Sequence, residues 1–193
     1  MPKPSNISYL QSQSGRRLLQ ESYSVSHGNR YCVPNALSAV TGLPVEFVTK
    51  SIRSVTGSRA IRGVSSIALM RSLWRMRVKF RSHLFATGKF GAWASKARQD
   101  TVYLITVVPP KATGRTRREG HMIAFCNGRV VCTSLHNKIA PLSRCSYRVW
   151  DIYSVFEIVQ PGFAHGNYCF QGDAPERPKS LWGRIRGWFT SSE

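Results

Sequence analysis

The stretch HMIAFCNGRVVCTSL, residues 121–135, constrains this chain more than any other. Asn127 and Gly128 both tolerate positive φ, and set between two apolar runs they predict a two-residue turn joining antiparallel strands. With those two residues as the loop, His121 lies opposite Ser134. Side chains alternate along a strand, so His121, Val130 and Cys132 share one face of the hairpin, while Val131 and Thr133 point the other way.

Helical patterns come before this hairpin. In CVPNALSAVTG, Pro34 suits the first turn of a helix and Gly42 falls just past its end. Pro44 opens a second helix in LPVEFVTKSIRSVTG, where Val45, Val48, Ile52 and Val55 recur on one face and Gly57 stops it. A third is predicted in GVSSIALMRSLWRMR, with Ile67, Met70, Leu73 and Trp74 inward and Arg71 and Arg75 outward. Strand patterns follow: RVKF is short, TVYLITVVPP is a β-branched run closed by two prolines, and YSVFEIVQP ends at Pro161 and Gly162. Helices first and antiparallel strands after predict an α+β fold, with an N-terminal helical lobe packed on an antiparallel sheet.

At 193 residues and 42% hydrophobic content the chain can bury one core, so one domain with tails is expected. Residues 1–25 read as a polar arm, 26–162 as the domain and 163–179 as a linker. Residues 180–193 read as an aromatic, basic amphipathic helix that docks on a membrane or a protein, or packs on its own domain. No apolar run is long enough to cross a bilayer, and no secretory signal opens the chain. With an odd cysteine count, the expectation is a reducing compartment, a cytoplasm (the host's, if viral) or a virion interior.

The charge is far from ordinary. Twenty-eight Lys and Arg against nine Asp and Glu leave +19, and between Lys50 and Arg98 there are twelve basic residues and no acid. Such an excess favours a polyanion, either nucleic acid or an acidic protein. Arg53, Arg59, Arg62, Arg71, Arg75, Arg77, Lys79 and Arg81 are the candidate contacts, with a second cluster at Lys111, Arg115, Arg117 and Arg118. The aromatic residues among them fall mostly at core spacings, so no base-stacking platform is expected.

The candidate chemistry centres on Cys32. A cysteine leading into a helix meets the positive end of the helix dipole and unpaired backbone N–H groups, which favour the reactive thiolate. Hydrolytic chemistry then needs an imidazole in reach and a group to orient it. His121, at the start of a strand, is the candidate. The orienting side chain should come from Cys132 or Ser134, and neither is a carboxylate. The competing reading is that Cys32 is a small buried residue. Cys126, Cys132, His136 and Cys145 match no common zinc spacing, and Cys126 and Cys132 face opposite sides of the hairpin, so no metal is expected. No glycine fingerprint points to a nucleotide cofactor, and none is expected. His83 reads as structural.

A cysteine heading C-x-x-x-A-L-x-x-x-T-G-x-P, a downstream G-H and a following N-G-x-V hairpin resemble papain-like cysteine peptidases, especially small bacteriophage proteins related to the bacteriocin-processing peptidases. The resemblance spans roughly residues 27–160. It implies a papain-like fold with Cys32 as nucleophile and His121 as general base, acting on a protein or peptide. The chain departs from that pattern twice. Cys132 stands where an Asp or Asn commonly follows the histidine, and Ser134, Asn137 or a backbone carbonyl are the substitutes. SVSHGNRYC holds no glutamine to donate to an oxyanion, which leaves His27 or Asn29 beside the Cys32 N–H.

Three readings follow from the sequence: a papain-like cysteine hydrolase of phage-like origin, an inactive relative that binds nucleic acid or an acidic partner through its basic face, and a virion component held by its C-terminal segment. The sequence leaves the oligomeric state open.

Overall fold

Helix α1, Cys32–Thr41, is apolar or small along most of its length, and every residue from Val33 to Thr41 is buried. Two of its polar side chains bond to backbone close by. Ser38 Oγ donates to the Leu43 carbonyl and Thr41 Oγ1 to the Leu37 carbonyl, both at 2.6 Å. Gly42 takes a left-handed φ of 71° and its N–H closes the last turn on Ser38 O at 2.9 Å. The computed structural model describes residues 31–160 apart from 62, 84, 85, 100 and 111–119. The predicted arm, linker and C-terminal helix lie outside the described residues. So do Asn29, His27, Arg62 and the cluster from Lys111 to Arg118.

Helix α2, Val45–Thr56, follows Pro44 and buries Val45, Val48 and Ile52 as the spacing predicts. Helix α3, Ser66–Arg75, is capped by Ser65, whose hydroxyl accepts the Ala68 N–H at 3.2 Å. Its buried face differs from the predicted one. Leu69, Ser72 and Leu73 are inside, while Ile67 and Trp74 are 60% and 64% exposed. The reason is Ser72, whose hydroxyl donates to Ala68 O at 2.8 Å and so enters the core without an orphaned polar group. The buried stripe turns toward Leu69, Leu73 and Met76, and Trp74 turns outward.

Among the described residues six strands, β1 (Lys79–Ser82), β2 (Val102–Val108), β3 (His121–Cys126), β4 (Arg129–Val131), β5 (Ala140–Pro141) and β6 (Asp151–Gln160), form one sheet in the order β1-β6-β2-β3-β4-β5. Each neighbouring pair is antiparallel. The hairpin register is the predicted one, with Ala124 opposite Val131 and Phe125 opposite Val130. Asn127 and Gly128 form the turn at φ 48° and 68°. The ladder stops at Val131, however, and Thr133–Leu135 form a turn of 3-10 helix. Ser134 therefore does not pair with His121 across the sheet. His136 and Asn137, both at positive φ, send the chain away, and the Asn137 N–H bonds back to Cys132 O at 3.0 Å.

Both faces of the sheet are covered. Helices α1–α3 pack on one face around Leu37, Val40, Leu104, Met122, Ala124 and Phe156. The other face buries Tyr103, Ile105, Ile123, Phe125, Val130 and Cys132 beneath Phe90 and Ala94 of a short helix, α4 (Phe90–Ala94). At five residues α4 is too short to show a period, and the sequence reading missed it. The α+β layout with an N-terminal helical lobe is the observed one. Glu157, buried on β6, is met by His83 Nε2 at 3.0 Å, by Arg81 at 3.8 Å and by Arg98 at 3.9 Å.

The orientation of α3 gives a direct test on adjacent residues. Leu73→Ala should lower the unfolding free energy by about 2–5 kcal/mol, and Trp74→Ala by no more than about 1 kcal/mol. Urea titration of each variant reads both, and the reverse order would place the helix face wrongly.

Candidate active site

Cys32 is the first residue of α1, one step further into the helix than the sequence suggested, with Tyr31 at the N-cap. Pro34 and the buried run behind it hold this end of α1 against the sheet. Cys32 as a residue is half-buried, and its sulfur receives the backbone N–H groups of Val33 and Met122. Val33 supplies a free amide of the helix's first turn. Met122 is the residue after His121 on β3, so one strand brings both an amide and an imidazole to the thiol.

His121 is buried at the start of β3, paired with Val107 of β2. Its ring stacks on Tyr147 with centroids 4.2 Å apart and planes 18° from parallel, and Trp150 meets Tyr147 edge-on at 4.6 Å. The stacked π face favours the protonated ring. The imidazole interacts with the thiols of both Cys32 and Cys132. Nε2 is nonetheless buried without a well-aligned hydrogen-bond partner, so part of this contact is close electrostatic approach rather than a formed N–H···S bond.

Cys132 lies on the same face as His121, as the hairpin geometry predicts, and Cys126 packs on the helical side. Ser134 Oγ is 3.0 Å from Cys132 Sγ, which brings it to the site through the 3-10 turn instead of through the ladder. The buried thiol of Cys145 completes the group by bonding to Cys132. Asn137, named from sequence as a substitute orienting group, donates its side-chain amide to Asn35 Oδ1 on α1, while Asn35 donates to Tyr31 O at 2.9 Å. These amides tie the end of α1 that carries Cys32 to the loop that follows Cys132. Sequence reasoning missed Asn35, Tyr147 and the role of Cys145. Their placement depends on non-local contacts that leave no local pattern.

The electrostatics run in one direction. Burial pushes the Cys32 thiol up, but the hydrogen bond and charge of His121, together with the two backbone N–H groups, outweigh it and leave the pKa below 9.0. Burial lowers His121, yet the Cys132 and Cys32 thiols overcome this and raise it from 6.5 to about 9. Cys132 is held down first by the Cys145 S–H, against its own burial, with His121 and Ser134 adding to the effect. Cys145 is pushed up in return. Cys132 is the ionised member of that pair because it alone also faces the imidazole. A base with a raised pKa adds stability that is complete below about pH 6.5 and lost as pH rises through about 9. A thiol with a lowered pKa adds stability that is present above 9.0 and lost as pH falls through its folded value. The thiolate–imidazolium state occupies the window between.

Of the basic candidates, Arg53, Arg59, Arg71, Arg75, Arg77, Lys79 and Arg81 are all exposed. Arg81 turns to Glu157 on the side of the sheet away from α1–α3. Among the described residues no cluster of His, Cys, Asp or Glu is arranged to hold a metal ion. A cavity of about 380 Å³ lined by Ile52, Thr56, Ser58, Ala60, Ile61 and Gly63 does not include Cys32 or His121.

The pair should be visible in alkylation. Cys32 is half-buried while Cys126, Cys132 and Cys145 are buried, so iodoacetamide should modify Cys32 ahead of those three. Labelling at pH 6, followed by peptide mass spectrometry, should fall on the order of tenfold in His121→Ala. Equal rates in the two proteins would mean that the histidine does not ionise the thiol.

No family model matches the chain, and no curated protein matches it. Among solved structures the chain is similar to the peptidase domain of Streptococcus ComA, a bi-functional ABC transporter involved in a quorum-sensing pathway. The two share 14% identity at a TM-score of 0.41, over 68% of this chain and 93% of that one. At that distance no residue role passes from one chain to the other.

Proposed function

We propose that this chain is a papain-like cysteine hydrolase that cleaves amide bonds in a peptide or protein. The observation that carries the reading is the meeting of a partly buried thiol at a helix N-terminus with a buried, stacked imidazole on the adjoining strand.

The chemistry runs from that geometry. The Cys32 thiolate attacks the carbonyl carbon, and the C=O electron pair moves onto oxygen. Backbone N–H groups at the start of α1 lie beside that developing charge. His121, protonated at neutral pH, gives its proton to the leaving nitrogen as the C–N bond breaks, leaving a thioester on Cys32. Neutral His121 then takes a proton from water as the oxygen attacks the thioester. The acid leaves, and the thiolate–imidazolium pair is restored. Cys132 serves here as a positioning group. As a thiolate held by Cys145 and Ser134 it offers His121 a negative charge, which a neutral thiol would not.

Incubation with an activated peptide ester is the test. Wild type should form an acyl adduct on Cys32, seen by intact mass. Cys32→Ala should form none, and His121→Ala should acylate about 100- to 10,000-fold more slowly. A folded wild type that neither acylates nor cleaves peptides overturns the reading. Cys132→Ala should move the alkaline fall of kcat/KM from about pH 9 down toward 6.5, the ordinary histidine value. Cys132→Asp, which restores the charge, should keep it high. An unmoved alkaline limb in Cys132→Ala would remove Cys132 from the site.

A further inference from the structure

We propose that the outer face of α3, centred on Trp74, is a binding site for unpaired bases of single-stranded nucleic acid, separate from the Cys32 site. At 64% exposure Trp74 stands largely outside the core that Leu69 and Leu73 build from the same helix. Among the described residues its ring meets one aromatic neighbour. Phe80 of β1 sits 6.1 Å away at 33°, and is itself held edge-on by the buried Phe156 at 5.6 Å. That leaves a supported aromatic surface turned to solvent, the form that a stacking platform takes.

The charges around it select the ligand. Arg71 is exposed and lies beside Trp74 on the helix surface, at the i−3 position, and Arg75, also exposed, stands one turn on from Arg71 at its i+4 position. Lys79 is exposed at the start of the strand that carries Phe80. No acidic residue occurs between Lys50 and Arg98, so nothing in this segment offsets them. An aromatic face among cations fits bases strung on a phosphate backbone. A duplex hides the faces of its bases inside the stack, so it offers the ring nothing. An anionic membrane needs a broad apolar stripe, and α3 has already committed Leu69 and Leu73 to the core. Among the described residues of the helix, the exposed Ile67 and the half-buried Met70 extend the apolar surface from Trp74, a narrow stripe rather than a broad one.

The test uses the full chain and a fluorescein-labelled oligothymidylate of about 12 nucleotides, read by anisotropy. Wild type should bind it more tightly than a duplex of equal length or vesicles containing phosphatidylserine, with affinity falling steeply as salt rises. Trp74→Ala should weaken binding at least about fivefold, and Trp74→Phe should retain most of it. Arg71→Gln with Arg75→Gln should flatten the salt dependence. The unfolding midpoint of each variant reports whether it is folded. Undiminished binding by a folded Trp74→Ala, or tighter binding of the duplex or the vesicles, overturns the proposal. Either result is independent of acylation at Cys32.

Discussion

The structure depends on the burial of β2 and β3 on both faces. β2 is almost entirely apolar and packs Leu104 under the helices and Ile105 under α4. β3 does the same with Met122 and Ile123. A slip of one residue in either strand would exchange these two sets and drive His121 to the wrong side of the sheet. The position of the imidazole is therefore enforced by the whole two-sided core, and a single hydrogen bond need not hold it. The same packing presses α1 onto β3, which brings Cys32 to the Met122 N–H and to the ring.

Within the site, one imidazole serves two thiols. The Cys32 and Cys132 sulfurs both lower their pKa values against His121, and a single positive charge cannot neutralise two thiolates fully. The surroundings divide the work. Cys32 has the amides at the start of α1, and Cys132 has the hydroxyl of Ser134 and the thiol of Cys145. Each anion draws part of its stabilisation from neutral donors, so the histidine remains protonated well above its ordinary range without being spent on either sulfur alone. Of the two residues, Cys32 is the less buried.

Local sequence signals translated well where one residue type decides the geometry. Asn127-Gly128 determined the turn and the register of the hairpin, because few other pairs accept positive φ at both positions. Gly42 and Gly57 marked the ends of their helices for the same reason. The face of α3 was misread because its period allows two neighbouring apolar stripes. The choice fell to Ser72, whose self-satisfied hydroxyl let a polar residue go inside. Ser134 was placed opposite His121 by extending a ladder that ends at Val131, where the positive φ of His136 and Asn137 turns the chain. It reached Cys132 by another path.

By itself, the sequence determined the α+β order of elements, the tight hairpin and the alternation that puts His121 and Cys132 on one face. Each follows from a period or from a backbone preference that acts within a few residues. The pairing of Cys32 with His121 was readable only as a proposal, since nearly ninety residues separate them. Tertiary structure alone decided that Tyr147 stacks on the ring, that Cys145 backs Cys132, that Asn35 and Asn137 tie α1 to the loop, and that Trp74 faces solvent. These depend on which surfaces the sheet can bury from both sides, and no stretch of chain carries that information before it is packed.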